Sequence, residues 1–404
     1  MEDVYGNLIS QQAIANDKKI LLLVMDGLGD CDNNGRGTAL EIAKTPNMDA
    51  LAKRSALGLS VPVATAITPG SGPGHLGLFG YDPLVYQIGR GALSALGIEF
   101  ELKGGDVAAR LNFCTLDKDG NITDRRAGRI STEENQRVLK KVKENLKSPQ
   151  GVEVFFETES EHRALMVLRG AGLDDHVGDT DPQQVGVKPL DPSRGEYSGS
   201  KTAKMAKEIL DQVQQILKDE PKANFMLCRG FAGMPNWPMF PDRYKLNPTA
   251  VAGYPMYRGV SRLVGIPVFS TPTSAEDICK EAVKALKDHT FVFAHFKYTD
   301  KTGEDGDIDA KVRVIEEMDR AIPVLLQNEP DVIIITGDHS TPPSMKSHSW
   351  HPVPLMITAP HTRKLTTGGF NERSCQSGEL GIITAKEILP LALAHADKLQ
   401  KFGA

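Results

Sequence analysis

"DVIIITGDHS" (331–340) is a run of apolar residues that ends in a glycine, an acid and an imidazole. An apolar stretch this short, bounded by turn residues, predicts a strand buried on both faces, as in a mainly parallel sheet. Two other stretches repeat the pattern. KILLLVM (19–25) runs into DGLGD, and HTFVFAHFKYTD (289–300) also ends in an acid. DIDAKVRVIEEMDRAIPVLLQ (307–327) lies between the last two strands and predicts an amphipathic helix with Asp307 as N-cap. TALEIAKTPNMDALAKR (38–54) predicts a helix interrupted by Pro46. Strand, helix and strand in this order imply a doubly wound α/β sheet, whose ligands collect at the carboxyl ends of its strands. The three strands end in Asp26, Asp300 and Asp338.

The middle of the chain reads differently. Residues 88–237 hold shorter alternating strands, VAARLNFCTLD, VEVFFET and ALMVLRG, and two charged helices, STEENQRVLKKVKENLK and TAKMAKEILDQVQQILKDE. This predicts an α+β domain inserted into a discontinuous sheet domain of residues 1–87 and 238–404, with the Pro-rich GMPNWPMFPDR (233–243) as the returning hinge.

Composition narrows the function classes. The 404 residues are 40% hydrophobic with a net charge of −5, which fits a soluble protein and argues against a dedicated nucleic-acid binder. The five scattered cysteines form no CxxC pair, so a reducing compartment is expected, and neither a disulfide framework nor a zinc finger. No apolar run reaches the ~18–20 residues needed to span a bilayer, and the N-terminus has no secretory pattern. The expectation is a cytoplasmic protein with a small-molecule partner and no membrane.

Asp338 and His339 adjoin at a strand end, and His348 follows nine residues later. Such neighbours can simply hydrogen-bond to each other, but Asp26 and Asp300 at two other strand ends favour a metal site. Mixed oxygen and imidazole ligands suit Mn²⁺, Zn²⁺ or Fe²⁺ better than an all-oxygen Mg²⁺ or Ca²⁺ cage. In ITPGSGPGHLGLFGYDP (67–83), Ser71 sits in a glycine-rich turn ahead of a helix. That is either a generic turn or a place where backbone N–H groups approach an anion and a metal activates the hydroxyl. DRRAGRI supplies Arg125, Arg126 and Arg129; EHRALMVLRG supplies His162, Arg163 and Arg169; LCRG supplies Arg229; and YPMYRGVSRLVG supplies Arg258 and Arg262. Arginine forks suit carboxylate and phosphate oxygens, although most surface arginines are only solvated.

Taken together, MDGLGD, TPNMDALA, TPGSGPGHLGLFGYDP, GRGALSALG, DVAARLNF, DRRAGRI, YRGVSRLVG, TDKTGEDGD, GDHSTP and HSWHPVP resemble the alkaline phosphatase superfamily. Within it, the chain resembles the archaeal-type cofactor-independent phosphoglycerate mutases. The resemblance implies an alkaline-phosphatase-like sheet domain split by a transferase domain that clamps substrate. It also implies two divalent ions, Mn²⁺ foremost with Mg²⁺, Co²⁺ or Zn²⁺ as alternatives, and no 2,3-bisphosphoglycerate. One ion would take Asp26, Ser71, Asp338 and His339; the other would take Asp300, Glu304 and His348, leaving His351 a structural role. The implied reaction interconverts 3-phosphoglycerate and 2-phosphoglycerate, a step of glycolysis and gluconeogenesis, through a phosphoserine on Ser71. Arg125, Arg126, Arg129, Arg163 and Arg229 would form the clamp, Arg258 would contact the phosphoryl group, and Asp124, His162 or Asp181 would relay protons.

One position departs from the family pattern: similar sequences carry histidine where this chain has Glu304, which adds negative charge and favours a harder ion. Three rival functions are a homoserine-kinase-like phosphotransferase, a metal-dependent phosphomonoesterase and a metal-impaired binding protein. The kinase-like branch tends to carry Glu where this chain has Lys297, which favours the mutase.

Overall fold

The three apolar runs that end in acids become neighbouring strands, so one edge of one sheet collects all three carboxylates. The computed structural model describes residues 2–363 and 368–403. In chain order its strands are β1 (Ile20–Met25), β2 (Ala56–Val61), β3 (Val107–Leu116), β4 (Ile122–Asp124), β5 (Val152–Ser160), β6 (Arg163–Gly170), β7 (Phe225–Gly233), β8 (Pro248–Ala252), β9 (Val268–Ser270), β10 (Phe291–Phe296), β11 (Val332–Thr336), β12 (Val353–Thr358) and β13 (Gly381–Thr384). The chain divides into two compact units, Met1–Gln87 with Trp237–Ala404, and Ile88–Asn236.

Among the described residues, the first unit contains an eight-stranded sheet ordered β13-β2-β12-β11-β1-β10-β8-β9. β1 pairs in parallel with β10 on one side and β11 on the other, which sets Val24 beside both His295 and Thr336. β12 runs antiparallel to β11 and β2, so the α/β sheet is mixed but mainly parallel around the site. Every residue of β1, β10 and β11 is buried, as expected of strands covered by helices on both faces. The helix Ile308–Leu325 buries Ile315, Met318, Ile322 and Leu325 in the core beside Leu21, Leu23 and Ile333. Full burial of each such side chain stabilises the fold by roughly 1.5–3 kcal/mol. Asp307 caps that helix, accepting from the N–H of Ala310 at 2.8 Å.

Two local expectations change. The stretch 38–54 forms two helices, Ala39–Ile42 and Pro46–Ala52, because Pro46 starts the second one, where no N–H is needed. The strand read over 289–300 stops at Phe296, and Tyr298–Asp305 is a helix, so Asp300 lies in its first turn and not at a strand end. Asp300 and Glu304 therefore lie one turn apart on one helical face.

The second unit has its own five-stranded sheet, with β4-β3-β6-β5 in sequence and β7 on the other side of β3. Its helices Thr132–Asn145 and Lys201–Leu217 bury Val138, Leu139, Val142, Ile209, Leu210 and Val213 against that sheet.

Candidate active site

Asp26 directly follows β1, and Asp338 and His339 directly follow β11 through Gly337. All three are fully buried. His339 Nε2 lies 3.4 Å from Asp26 Oδ1 and 3.3 Å from Asp338 Oδ2. Ser71 opens the helix Ser71–Leu78, with Gly70 as the residue before it, and its Oγ stands 3.4 Å from the same nitrogen. On the other side, His348 Nε2 lies 3.6 Å from Asp300 Oδ1 and 3.8 Å from Glu304 Oε1. Two groups of ligand atoms thus form, Asp26–Asp338–His339 and Asp300–His339–His348, each within 4.8 Å. Glu304 stands at the rim with its side chain 54% exposed. His351 points elsewhere: its Nδ1 meets Ser349 Oγ at 2.9 Å and its ring stacks on Trp350.

Hydrogen bonds fix the imidazoles. His348 Nδ1 donates to the carbonyl of Pro69 at 2.9 Å. Because a carbonyl only accepts, the neutral ring keeps its lone pair on Nε2, facing Asp300. The Thr341 hydroxyl donates to Asp300 Oδ1 at 2.7 Å and lies 3.0 Å from His339 Nδ1.

Cations and a further layer of rings surround the carboxylates. Lys297 Nζ lies 3.1 Å from Asp26 Oδ2 and 2.5 Å from Asp300 Oδ2. His295 Nε2 approaches Asp26 Oδ2 at 3.2 Å, and His75 Nδ1 approaches Asp338 Oδ2 at 3.1 Å. Burial acts to raise the Asp338 carboxyl, but the protonated forms of His339 and His75 outweigh it and hold it well below the usual carboxylate range. Burial and the charge of Asp338 also push Asp26 upward, yet His295 and Lys297 hold its net direction downward. Burial lowers Lys297, and the charges of Asp26 and Asp300 more than reverse it. Burial keeps His295 below the ordinary imidazole range.

The residues present fit a cation. Both carboxylate oxygens of Asp26 and Oδ2 of Asp338 are buried without a well-aligned hydrogen-bond partner among the described residues. Leaving such atoms unsatisfied costs roughly 1–3 kcal/mol each, and more when charged. Carboxylate, imidazole and hydroxyl donors converging here match the ligand preferences of first-row divalent ions.

The second unit gathers its own set of charges. Arg90, Arg110, Asn112, Arg125, Arg126, Arg129, Glu161, His162, Arg163 and Arg229 line a cavity of about 280 Å³. Asp181 forks onto Arg125 at 2.9 and 2.7 Å and lies 3.8 Å from Arg229, so it orients both guanidinium groups. Asp124 accepts from the N–H groups of Arg126 and Gly128 and so shapes the turn that presents Arg126 and Arg129. Burial pulls Arg110 downward; Glu159 opposes this, and Arg163, Arg90 and Arg229 reinforce it. Burial, then Arg163, lowers His162. Arg169 is not in this pocket, because it pairs bidentately with Asp106. In the first unit, Arg258 is buried and donates to the carbonyl of Gly253.

Sequence reading did not single out Arg90, Arg110, His75, His295, Tyr257 or Thr341, and took Lys297 only as a marker. Period and spacing hold the missing signals. Arg110 and Asn112 are polar residues two apart in the mostly apolar β3, hence on one face. His75 lies four residues after Ser71 on one helix. Tyr257 had no signal at all: its ring stacks on His295 at 3.8 Å from a distant helix.

Comparison with known proteins fits this geometry. Residues 52–223 match the family model described as 2,3-bisphosphoglycerate-independent phosphoglycerate mutase. The chain is 50% identical over 397 residues to a Thermotoga neapolitana protein named as a probable enzyme of that kind, covering 98% of each chain. It is 49% identical to one from Thermus thermophilus, over 98% of this chain and 99% of that one. Among solved structures it is similar to the cofactor-independent phosphoglycerate mutase of Thermoplasma acidophilum, with 31% identity, a TM-score of 0.76, and 94% and 100% of the two chains covered. The PH0037 protein of Pyrococcus horikoshii gives 33% identity and a TM-score of 0.78 over 96% and 99% of the chains. With half of its residues shared along nearly its whole length, the chain belongs to the 2,3-bisphosphoglycerate-independent phosphoglycerate mutase family.

Proposed function

We propose that the protein interconverts 3-phosphoglycerate and 2-phosphoglycerate through a phosphoserine on Ser71. The observation that supports this most is the pair of ligand groups, with Ser71 Oγ 3.4 Å from Nε2 of the histidine they share. Asp26, Ser71, Asp338 and His339 would hold one divalent ion and Asp300, Glu304 and His348 the other, with Mn²⁺ preferred. Bound there, the ions supply charge neutralisation on the transferring phosphoryl group.

The chain's own residues do the rest. Ser71 Oγ gives up its proton and attacks the substrate phosphorus in line as the bond to the departing glycerate oxygen breaks, and that oxygen takes up a proton. Lys297, a buried cation between Asp26 and Asp300, offsets negative charge beside the reacting group. Arg258 contacts the phosphoryl group. Glycerate then turns, its other hydroxyl loses a proton and attacks the phosphoserine, the bond from phosphorus to Ser71 Oγ breaks, and Oγ takes a proton back. Arg125, Arg126, Arg129, Arg163 and Arg229 hold the carboxylate, and His162, Asp124 or Asp181 moves the proton. The arginine cavity supports this assignment because it is built for a small, multiply charged anion. Arg90 and Arg110 join that set.

All five cysteines are free, and among the described residues no helix is long and apolar enough to cross a membrane. Both fit the cytoplasmic compartment we assign to the reaction. The test is incubation of Mn²⁺-loaded protein with 3-phosphoglycerate alone, following both isomers and free phosphate. Formation of 2-phosphoglycerate without 2,3-bisphosphoglycerate is expected. Phosphate release with no isomer would show a phosphomonoesterase instead, and consumption of ATP with homoserine a kinase.

A further inference from the structure

Thr341 sits where the two ligand groups meet. Its hydroxyl has one proton, which goes to Asp300 Oδ1 at 2.7 Å. Toward His339 Nδ1, 3.0 Å away, that oxygen can therefore only accept. In the neutral ring, the form that can bind an ion, the His339 proton is thereby placed on Nδ1, and the Nε2 lone pair is turned toward Asp26, Asp338 and Ser71. A single hydroxyl thus fixes the tautomer of the histidine common to both groups and the orientation of a carboxylate in one of them.

The backbone around Thr341 is built to hold it there. The main chain carbonyl of Thr341 accepts from the buried Lys311 Nζ at 2.9 Å, and the same ammonium takes the carbonyls of Gly27 at 2.9 Å and Gly29 at 3.2 Å. Lys311 thus ties the loop after Asp26 to the loop after His339. Two glycines make room for the residue. A Cβ at Gly27, which has φ +63°, would lie 2.5 Å from Thr341 Oγ1, and a Cβ at Gly303 would lie 2.3 Å from the Thr341 carbonyl oxygen. Gly27 follows Asp26, and Gly303 precedes Glu304. Thr341 is wedged between the segments that present both sets of ligands.

We infer that Thr341 is a positioning residue that couples the two ion sites, by locking His339 as the Nδ1–H tautomer while aiming Asp300 at the second ion. This rests on the two-ion reading above. Removing an outer hydrogen-bond partner of a ligand typically costs about 10–100-fold in metal affinity.

The test compares Thr341→Val, which keeps the shape and loses the hydroxyl, with Thr341→Ser, which keeps the hydroxyl. Mn²⁺ titration of metal-depleted protein is expected to show two sites in the parent and in Thr341→Ser. Thr341→Val should lose at least about tenfold at both. ¹⁵N spectra of the metal-free, histidine-labelled protein, taken at a pH where the His339 ring is neutral and with His339 assigned by His339→Gln, should show one Nδ1–H tautomer in the parent and a mixture in Thr341→Val. Parent-like affinity in Thr341→Val, a loss confined to one site, or a serine variant as weak as the valine one each overturns the inference. A parent that binds no Mn²⁺ would overturn the two-ion reading itself, a distinct result. If Thr341→Val fails to fold, Thr341→Ala against Thr341→Ser is judged by the same outcomes.

Discussion

The imidazoles of His339 and His348 stack, with ring centroids 3.6 Å apart and planes 23° apart; His339 is common to both groups of ligand atoms and His348 belongs to one. Each ring is also hydrogen-bonded at Nδ1, to Thr341 and to Pro69 respectively. Neither can turn without displacing the other. In a cycle of His339→Ala, His348→Ala and the double variant, the losses in Mn²⁺ binding are therefore expected to be non-additive, with a coupling of about 0.5–3 kcal/mol. Additive losses would show two independent sites.

Ser71→Ala should lower isomerisation by roughly three orders of magnitude or more and abolish ³²P-labelling of the protein by substrate. Thermal stability should hold, because Ser71 is the first residue of its helix and caps no other group. Labelling that persists in this variant would assign the phosphoryl group to another residue.

Glu304 is half exposed at the rim, 3.8 Å from His348. Glu304→His keeps a side chain able to bind an ion there but removes a charge, so activity should survive while preference moves from Mn²⁺ and Mg²⁺ toward Zn²⁺ and Co²⁺. The readout is the rate profile across the four ions, and an unchanged profile would take Glu304 out of the ligand set.

Arg110 lines the arginine cavity from β3. A charged hydrogen bond from its guanidinium to a bound anion would contribute about 1.5–3 kcal/mol. Arg110→Met should therefore reduce kcat/KM by roughly 10–100-fold while leaving Mn²⁺ affinity untouched. A matching fall in metal affinity would mean that the substitution damages more than the pocket.

Glu372 supplies a pH dependence. The residue is partly exposed, but its carboxyl end is enclosed and Oε1 has no partner among the described residues. Burial pushes this carboxyl up from 4.5 to about 7, against the hydrogen bond from Thr38. A carboxyl raised on folding stabilises the fold below its unfolded value and loses that contribution as pH rises through the folded one. Unfolding of the metal-free protein should therefore become easier between about pH 4.5 and 7, by up to roughly 3 kcal/mol. Glu372→Gln should flatten the profile in that window, and an unchanged slope would exclude Glu372 as its source.

The α/β class, the strands bearing Asp26, Asp300 and Asp338, and the Asp307 cap could be read directly, because continuous apolar runs and capping chemistry are local signals. Glu304 and Asp300 are one turn apart on a helix, but the short TDKTGEDGD segment, with its two glycines, has no period from which to infer that helix. Lys311 is a charged residue on an amphipathic helix, yet it is fully buried. Its three acceptors are backbone carbonyls, and main chain acceptors leave no trace in the identity of residues. Thr341 was hidden for a related reason: its importance lies in two contacts made by one hydroxyl, and hydroxyl residues are common in loops.

The strand order has a consequence for biosynthesis. β1 finds its partners in β10 and β11, and β2 finds its partners in β12 and β13. Neither strand of the first 87 residues pairs with the other. As the chain leaves the ribosome, these two apolar segments emerge long before the strands that will cover them. The inserted unit, with a sheet and core of its own, can meanwhile close. The nascent protein must keep β1 and β2 unpaired until its last third is made, which makes that interval its period of greatest exposure to aggregation and to chaperones.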